Sequence, residues 1–402
     1  MAQSVSAPAP GRSLIVLLGS LVMVGPLAVD MYLPSLPDIA VDLAAHPAEV
    51  QQTITTFLLG FAVGMLVYGP VSDRYGRRPI IACGLALFLA ASLLCAAADD
   101  IGMLTLGRVL QAIGGGAASA LARAVAKDMF STEGAARVLS LMAMVMAVAP
   151  LVAPTVGGQI LLFADWRAIF HVLAAFGAAG LLATLTLLPE SLPASARVGI
   201  RLLGAFAAYG RIATERRALA DLVSGSFNSA AMFAYITGTP FVYIEYFGVS
   251  PQWYGALFGV NVIALVIASA LNARYVARFG LLRITRLSIA LAAVGGVALL
   301  AAGITGIGGL WGVATPLLLV VGVQAPVGAN CTARLMGLFP SSAGAASALF
   351  GATRFGLGAA ASALVGLLHD ATPLAMCAVV AGCCVIAFVA RFGLDRLAPA
   401  ER

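Results

Sequence analysis

Long apolar runs, separated by short connections that carry charges, prolines or glycines, dominate the chain. A bilayer core about 30 Å thick is crossed by about 20 helical residues at about 1.5 Å rise each. Twelve runs meet that length, near 13–36, 49–71, 79–98, 101–126, 137–162, 167–188, 219–245, 252–273, 283–304, 309–334, 343–368 and 373–391. Backbone groups in lipid must be satisfied within the segment, and helices do this. The expected fold class is therefore an all-α membrane protein with twelve transmembrane helices.

The connections alternate in charge. Those after even-numbered spans hold Arg74, Arg77 and Arg78, then Arg123 (at a span end), Lys127 and Arg137. Arg197, Arg201, Arg211, Arg216 and Arg217 follow span 6; Arg274, Arg278, Arg283 and Arg286 follow span 8; and Arg334 follows span 10. Those after odd-numbered spans hold mainly Asp38, Asp42, Glu49, Asp99, Asp100, Asp165 and Asp370, with Arg167 the one arginine. Lys and Arg prefer the cytoplasmic side, so both termini are expected there, with an even number of spans.

The longest connection begins at Pro189 and is rich in arginine, and the apolar spacing from Gly199 to Ala213 fits an interfacial helix. Three regions are expected: residues 1–188 as a six-helix half, 189–218 as a cytoplasmic linker with an interfacial helix, and 219–402 as a second six-helix half. Arg74-Tyr75-Gly76 after span 2 is echoed by Arg278-Phe279-Gly280 after span 8, as two parallel repeats would produce.

Composition narrows the class. Apolar residues make up 61% and charged residues 10% of the 402, whereas soluble domains carry roughly 25% charged residues. The net charge of +6 does not gather into a basic face suited to phosphates, so nucleic acid is not expected as a partner. Cys83, Cys95, Cys331, Cys377, Cys383 and Cys384 lie in apolar stretches without metal-like spacing and read as packing residues. The run starting near Ser13 is too long for the apolar core of a signal peptide, so no cleavage is expected.

The most specific motif is GPVSDRYGRRP at 69–79, between spans 2 and 3. Gly69 and Gly76 permit close or left-handed backbone, Asp73 suits a cap or an ion pair across the bundle, and Arg74, Arg77 and Arg78 supply charge for a latch. Span 4 carries RVLQAIGGG from Arg108, and span 5 carries APLVAPTVGG, with Pro150, Pro154, Gly157 and Gly158. These segments resemble the major facilitator superfamily: its motif between spans 2 and 3, its span-4 arginine motif and its antiporter motif, from which Ala153 departs where glycine is usual. DMYLPSLP from Asp30, GTPFVYIE from Gly238, GVSP from Gly248 and PESLP from Pro189 resemble the bicyclomycin-resistance (Bcr/CflA) branch. The resemblance covers essentially the whole chain. It implies two six-helix halves and alternating access. It also implies export of drugs of the bicyclomycin or chloramphenicol kind in exchange for protons, from the bacterial inner membrane. A symporter or facilitator for a small metabolite on the same fold is the alternative.

Asp30 stands out without that resemblance. An ionised carboxylate in an apolar run costs about 2.5–3.5 kcal/mol on insertion scales, so it should face the bundle and be neutralised by a proton or a partner. Arg108 is the nearest plausible cation, at a similar depth in its span. The pair is either a switchable proton site or a fixed salt bridge, and similar exporters place a proton-coupling acid here.

Glu245 is either a helix-end acid or a substrate contact, and Arg354 either snorkels or lines the cavity. Tyr32, Phe57, Phe61, Tyr235, Tyr243, Tyr254 and Asn261 are candidate cavity residues. The prolines and glycines of span 5 are expected hinges for rocking halves. No Gly-x-x-x-x-Gly-Lys loop is present, the only lysine is Lys127, and His46, His171 and His369 lack partner spacing, so neither an ATP-driven pump nor an enzyme is expected. No metal or cofactor is expected; the partners are a small molecule, protons and lipid, and the chain is read as a monomer.

Overall fold

Helices account for nearly all of the computed structural model, which describes residues 12–197 and 202–397. The segment before Arg12, the expected linker-helix start at Gly199 and Arg201 lie outside the described residues. Eleven described segments are long and apolar enough to cross a membrane. They are Arg12–Asp42 (span 1), Pro47–Tyr75 (2), Arg77–Ala96 (3), Ile101–Met129 (4), Thr132–Ile160 (5), Arg167–Leu187 (6), Pro251–Phe279 (8), Leu281–Thr305 (9), Gly309–Leu338 (10), Ala343–Leu367 (11) and Leu374–Leu397 (12).

Span 7, Arg216–Pro240 continued by a π-helical turn Phe241–Tyr246, completes the twelve. It is too polar to count by hydropathy because it carries Asp221, Ser224, Ser226, Asn228, Ser229, Thr237 and Thr239, all buried. Neighbouring spans absorb that polarity. The Asn228 amide donates to Gln324 Oε1 at 2.9 Å and Gln324 Nε2 donates to the Asn228 backbone carbonyl at 2.7 Å, Thr237 meets Ser362 at 2.7 Å, and Thr239 meets Tyr254 at 3.0 Å.

Spans 1 and 10 are interrupted. Span 1 stops as an α-helix at Asp30, passes through a 3₁₀ turn Leu33–Ser35 and resumes over Leu36–Asp42. Pro34 and Pro37 each remove a backbone donor there, so the ladder cannot continue. Span 10 breaks at Val323 between Gly309–Gly322 and Gln324–Leu338, just before Pro326. Such breaks are tolerated in membranes where protein or a cavity covers the backbone.

The halves meet where span 2 packs on span 11 and span 5 on span 8. At the end of the bundle rich in acidic loops, Thr55 donates to Ser362 at 3.0 Å. A Cβ on Gly366 would stand 3.4 Å from the Ala48 carbonyl, and one on Gly158 2.5 Å from the Pro251 carbonyl. His46 and His369 also face each other there, ring centroids 6.3 Å apart. Sequence separation hid this pair, which appears in the chain as two unrelated loop histidines.

Burial holds the His369 pKa below its ordinary value, with His46 pushing the same way and Glu245 and Asp370 opposing. A depressed imidazole leaves the folded contact unaffected above about pH 6.5 and weakens it as the pH falls through that range, because the opened state takes the proton first. The thermal midpoint of the wild type should therefore fall more between about pH 7.5 and about pH 5.5 than that of His369→Gln. Equal falls would show that this contact does not titrate.

Between spans 6 and 7, the helix Leu202–Thr214 lies against the basic end of the second half, with Ile212 buried beside Ala218, Leu222, Leu335 and Phe350.

Candidate transport site

The loop between spans 2 and 3 is a tight charged knot within the first half. Gly76 turns the chain at φ +98°, where a side chain would be strained and would also strike the Glu190 carboxylate. Arg77 pairs with Asp73 at 2.7 Å and Asp128 at 3.1 Å, and bonds Ser72 Oγ; its backbone N–H donates to Glu190 at 2.9 Å. Arg78 reaches the Leu185 carbonyl at 2.6 Å, and Arg74 lies over Tyr75. Asp73 thus pairs within its own turn rather than across the bundle. No side chain lies within reach of a Cβ on Gly69.

Arg108 is fully buried, and its setting differs from the sequence reading. Nη1 donates to the Ala28 carbonyl at 2.7 Å and to Gln111 at 2.6 Å, and Gln111 passes the chain of bonds to Ser92 at 2.8 Å. The guanidinium lies 4.4 Å from the Phe57 ring and 4.6 Å from the Tyr32 ring, with Phe170 at 5.9 Å. Cation–π contact of this kind stabilises a desolvated guanidinium by about 2 kcal/mol. Tyr32 and Phe57 therefore wrap the arginine, and the Tyr32 hydroxyl is held by Thr53. Arg108 caps a carbonyl in the last turn of the broken span-1 helix, while its Nε and Nη2 are enclosed without partners.

Asp30, the last residue of that helix, is 4% exposed and makes no hydrogen bond or ion pair among the described residues. Neither a fixed salt bridge with Arg108 nor a close Asp30–Arg108 pair is present. The turn that follows Asp30, Leu33–Ser35, packs on spans 7 and 8 of the second half, which carry Tyr235 and Tyr254. Asn261 donates to the Tyr235 hydroxyl at 3.2 Å, and Phe258 stacks on Tyr235 with centroids 5.3 Å apart. Buried acceptor Oδ1 of Asn261 and the Tyr243 hydroxyl have no partner. A buried carboxylate at this break can exchange a proton, and the phenols and amide of spans 7 and 8 offer polar contacts to a bound molecule.

The span-5 motif supports the same spot from behind. Span 5 runs as one helix through Pro150 and Pro154. A Cβ on Gly157 would collide with the Met31 carbonyl, and Gly255 of span 8 approaches the Thr155 backbone, where a Cβ would stand 2.7 Å away. The motif is therefore a close three-helix contact of spans 1, 5 and 8. Overpacking against rigid backbone costs about 1–3 kcal/mol. Gly157→Leu should abolish transport in a resistance assay, and Gly157→Ala should already impair it, while immunoblots still find the protein in the membrane. Wild-type resistance from Gly157→Leu would show that this contact is dispensable.

Phe61 stacks on Phe57 and crosses the interface to Phe355 at 4.9 Å, which in turn meets Phe233 at 5.3 Å. Phe233 and Phe355 were not found from sequence; aromatic residues in membrane helices are too common to single out without a fold. Glu245 lies elsewhere, exposed at the acidic mouth of the bundle, where it borders a small pocket with Gln51, His369 and Thr372. Arg354 is half-buried, donates to Ser229 at 2.7 Å and lies 5.5 Å from the Phe350 ring.

Residues 18–363 match the family described as Major Facilitator Superfamily. The chain is 32% identical over 380 residues to a bicyclomycin resistance protein homolog of Haemophilus influenzae, covering 94% of this chain and 95% of the relative. It is 38% identical over 176 residues to the multidrug resistance protein MdtL of Escherichia coli, 44% of this chain and 45% of that one. The crystal structure of a D-xylose-proton symporter superposes with a TM-score of 0.79 at 15% identity, covering 97% of this chain and 98% of the other, a likeness of fold alone. Its twelve membrane-spanning helices in two halves, and its match through nearly the whole length, place the chain in the Major Facilitator Superfamily as a multi-pass transporter of small molecules.

Proposed function

We propose that the chain is a proton-driven exporter of small organic molecules, a drug-efflux antiporter of the bicyclomycin-resistance type. The observation that carries the reading is Asp30: a buried carboxylate at the break of span 1, without an ion pair among the described residues, followed by a turn that packs on spans 7 and 8 of the opposite half. A carboxylate in that position gains from protonation when the halves close over it and from hydration when they open. Alternation of those states couples proton flow to movement of a bound compound. The two relatives named for bicyclomycin and multidrug resistance support export as the direction.

Under the preference of arginine for the cytoplasmic side, the basic end of the bundle faces the cytoplasm, with both termini there and residues 189–218 as a cytoplasmic linker. The contacts at the acidic end then close the outer face, an inward-facing arrangement. The transporter acts as a monomer, since each chain contains both halves of the site.

Everted membrane vesicles test the reading. With an imposed proton gradient, adding a transported drug should release protons from the acidified lumen. A gradient-independent drug flux, or uptake of substrate by intact cells driven inward with protons, would replace antiport with the facilitator or symporter alternative.

A further inference from the structure

A groove of about 360 Å³ runs between spans 1 and 6 of the first half. Ser13, Leu17 and Ser20 line it from span 1, and Phe176, Ala183 and Leu187 from span 6. Both sets recur every three or four residues, so each is one stripe of its helix and the groove follows the helix axes. From Phe176 to Leu187 it extends about 17 Å, slightly more than half of a hydrocarbon core about 30 Å thick. That is the depth of one leaflet.

The walls are almost entirely carbon. The Ser20 hydroxyl donates to the Leu17 carbonyl at 2.8 Å, which satisfies it within its own helix. Val16 and Leu187, also part of the lining, are exposed, so the groove opens outward from the bundle. A space with such walls gives water no hydrogen-bonding partners, and in a bilayer an acyl chain is the apolar filler at hand.

One end of the groove is basic. Arg12 directly precedes the lining residue Ser13. Arg78, at the start of span 3, donates from Nη2 to the Leu185 carbonyl at 2.6 Å, between the lining residues Ala183 and Leu187. Arg78 Nε is enclosed without a partner, and neither arginine has an ion pair among the described residues. The acids of this region are already engaged: Asp73 and Asp128 with Arg77, and Glu190 with Arg197. The charge complement that is missing is an anion at the end of an acyl-sized groove.

We propose that the groove is a binding site for an anionic phospholipid of the leaflet at the basic end, with one acyl chain between spans 1 and 6 and the phosphate at Arg12 and Arg78. Guanidinium donors suit phosphate oxygens, and basic pockets between membrane helices favour anionic headgroups. The chain fills space that the small side chains of Ser13, Ser20 and Ala183 leave open. It thereby braces span 1 against span 6 at the end of span 1 opposite Asp30.

Purified protein in detergent is mixed with equal amounts of dioleoylphosphatidylglycerol and dioleoylphosphatidylcholine, and the lipid retained is counted by native mass spectrometry. Each chain should keep one phosphatidylglycerol in preference to phosphatidylcholine. Arg12→Gln and Arg78→Gln should each weaken that retention about fivefold, as expected for one arginine near an anionic lipid. Ala183→Phe, which fills the groove, should abolish it, and excess inorganic phosphate should not displace the lipid. If Ala183→Phe does not purify as folded protein, the two arginine variants carry the comparison.

Equal retention of both lipids by the wild type would overturn the site, as would undiminished phosphatidylglycerol binding in the arginine variants or in Ala183→Phe. Displacement by inorganic phosphate would reduce it to an anion contact that does not use the groove. A dimer that Ala183→Phe dissociates would give the groove to a second copy of the chain, and displacement of the lipid by a transported drug would make it a substrate entry. Each of these outcomes also overturns the lipid site.

Discussion

Asp30→Asn is expected to reduce gradient-driven drug efflux by more than about tenfold, to the background of a pump-deficient host, while leaving the protein folded in the membrane. Asparagine has nearly the same size as aspartic acid and, like the protonated acid, is neutral, so the packing at the end of the span-1 helix should survive. Asp30 has no ion pair or hydrogen bond to lose among the described residues, which separates this substitution from the removal of a structural partner. What disappears is the ability to take up and release a proton. Exchange of labelled for unlabelled drug across vesicles without a gradient should persist, since that process needs no change of protonation. Full gradient-driven efflux by Asp30→Asn would remove Asp30 from coupling, and loss of both activities together would make its role structural.

Asp221→Asn should produce the largest loss of stability among single polar substitutions, about 3–5 kcal/mol. The Asp221 side chain is completely buried and holds Arg391, also completely buried, at 2.5 Å and Arg334 at 3.1 Å. Arg391 continues to Asp395 at 2.8 Å, which also binds Arg286 at 2.8 Å. Spans 7, 9, 10 and 12 are thereby tied together at the basic end. Removing the carboxylate charge leaves a guanidinium enclosed without full compensation, and the cost of that unpaired charge exceeds the value of the bond itself.

Asp73→Asn makes a useful contrast, because its side chain is 43% exposed and water screens the pair with Arg77; its stability cost should stay below about 1 kcal/mol. Heat or detergent unfolding of the purified proteins reads the difference. The double variant Asp221→Asn with Arg391→Met should recover part of the loss, since the buried charge has been removed with its partner. Equal midpoints for Asp221→Asn and Asp73→Asn would contradict this account of the network.

Loop charges and apolar runs locate helices well because hydrophobic thickness is a one-dimensional constraint. The run near 219–245 was recognisable as span 7 although its helix is the most polar, since its buried Ser, Thr and Asn are short and interleaved with small apolar residues. Pairings were much less legible. Span 4 was expected to end near residue 126, with Arg123 at the span end, because the apolar run fades there, whereas the helix continues to Met129. Asp221 and Arg391 were present within predicted spans and could have been found by the rule that selected Asp30, a charge where lipid would forbid one. Their partnership spans 170 residues and was invisible.

Asp30 and Arg108 show the limit most clearly. Similar depth made them plausible partners, but depth says nothing about azimuth around a helix. Tertiary packing directs Arg108 into the aromatic interior of its own half and leaves Asp30 without an ion pair among the described residues.

The sequence by itself determined the solvent, the number of spans and the alternation of charged ends, because each is set by transfer free energies summed along a local stretch of chain. It also marked the glycines and prolines around the site. Only the tertiary structure decided which buried charges are matched and which are not. That depends on which helix faces meet across the bundle, a property of contacts between distant segments. By that measure Asp221 is committed to holding the second half together, whereas Asp30, on which the proposed coupling rests, has no ion pair among the described residues.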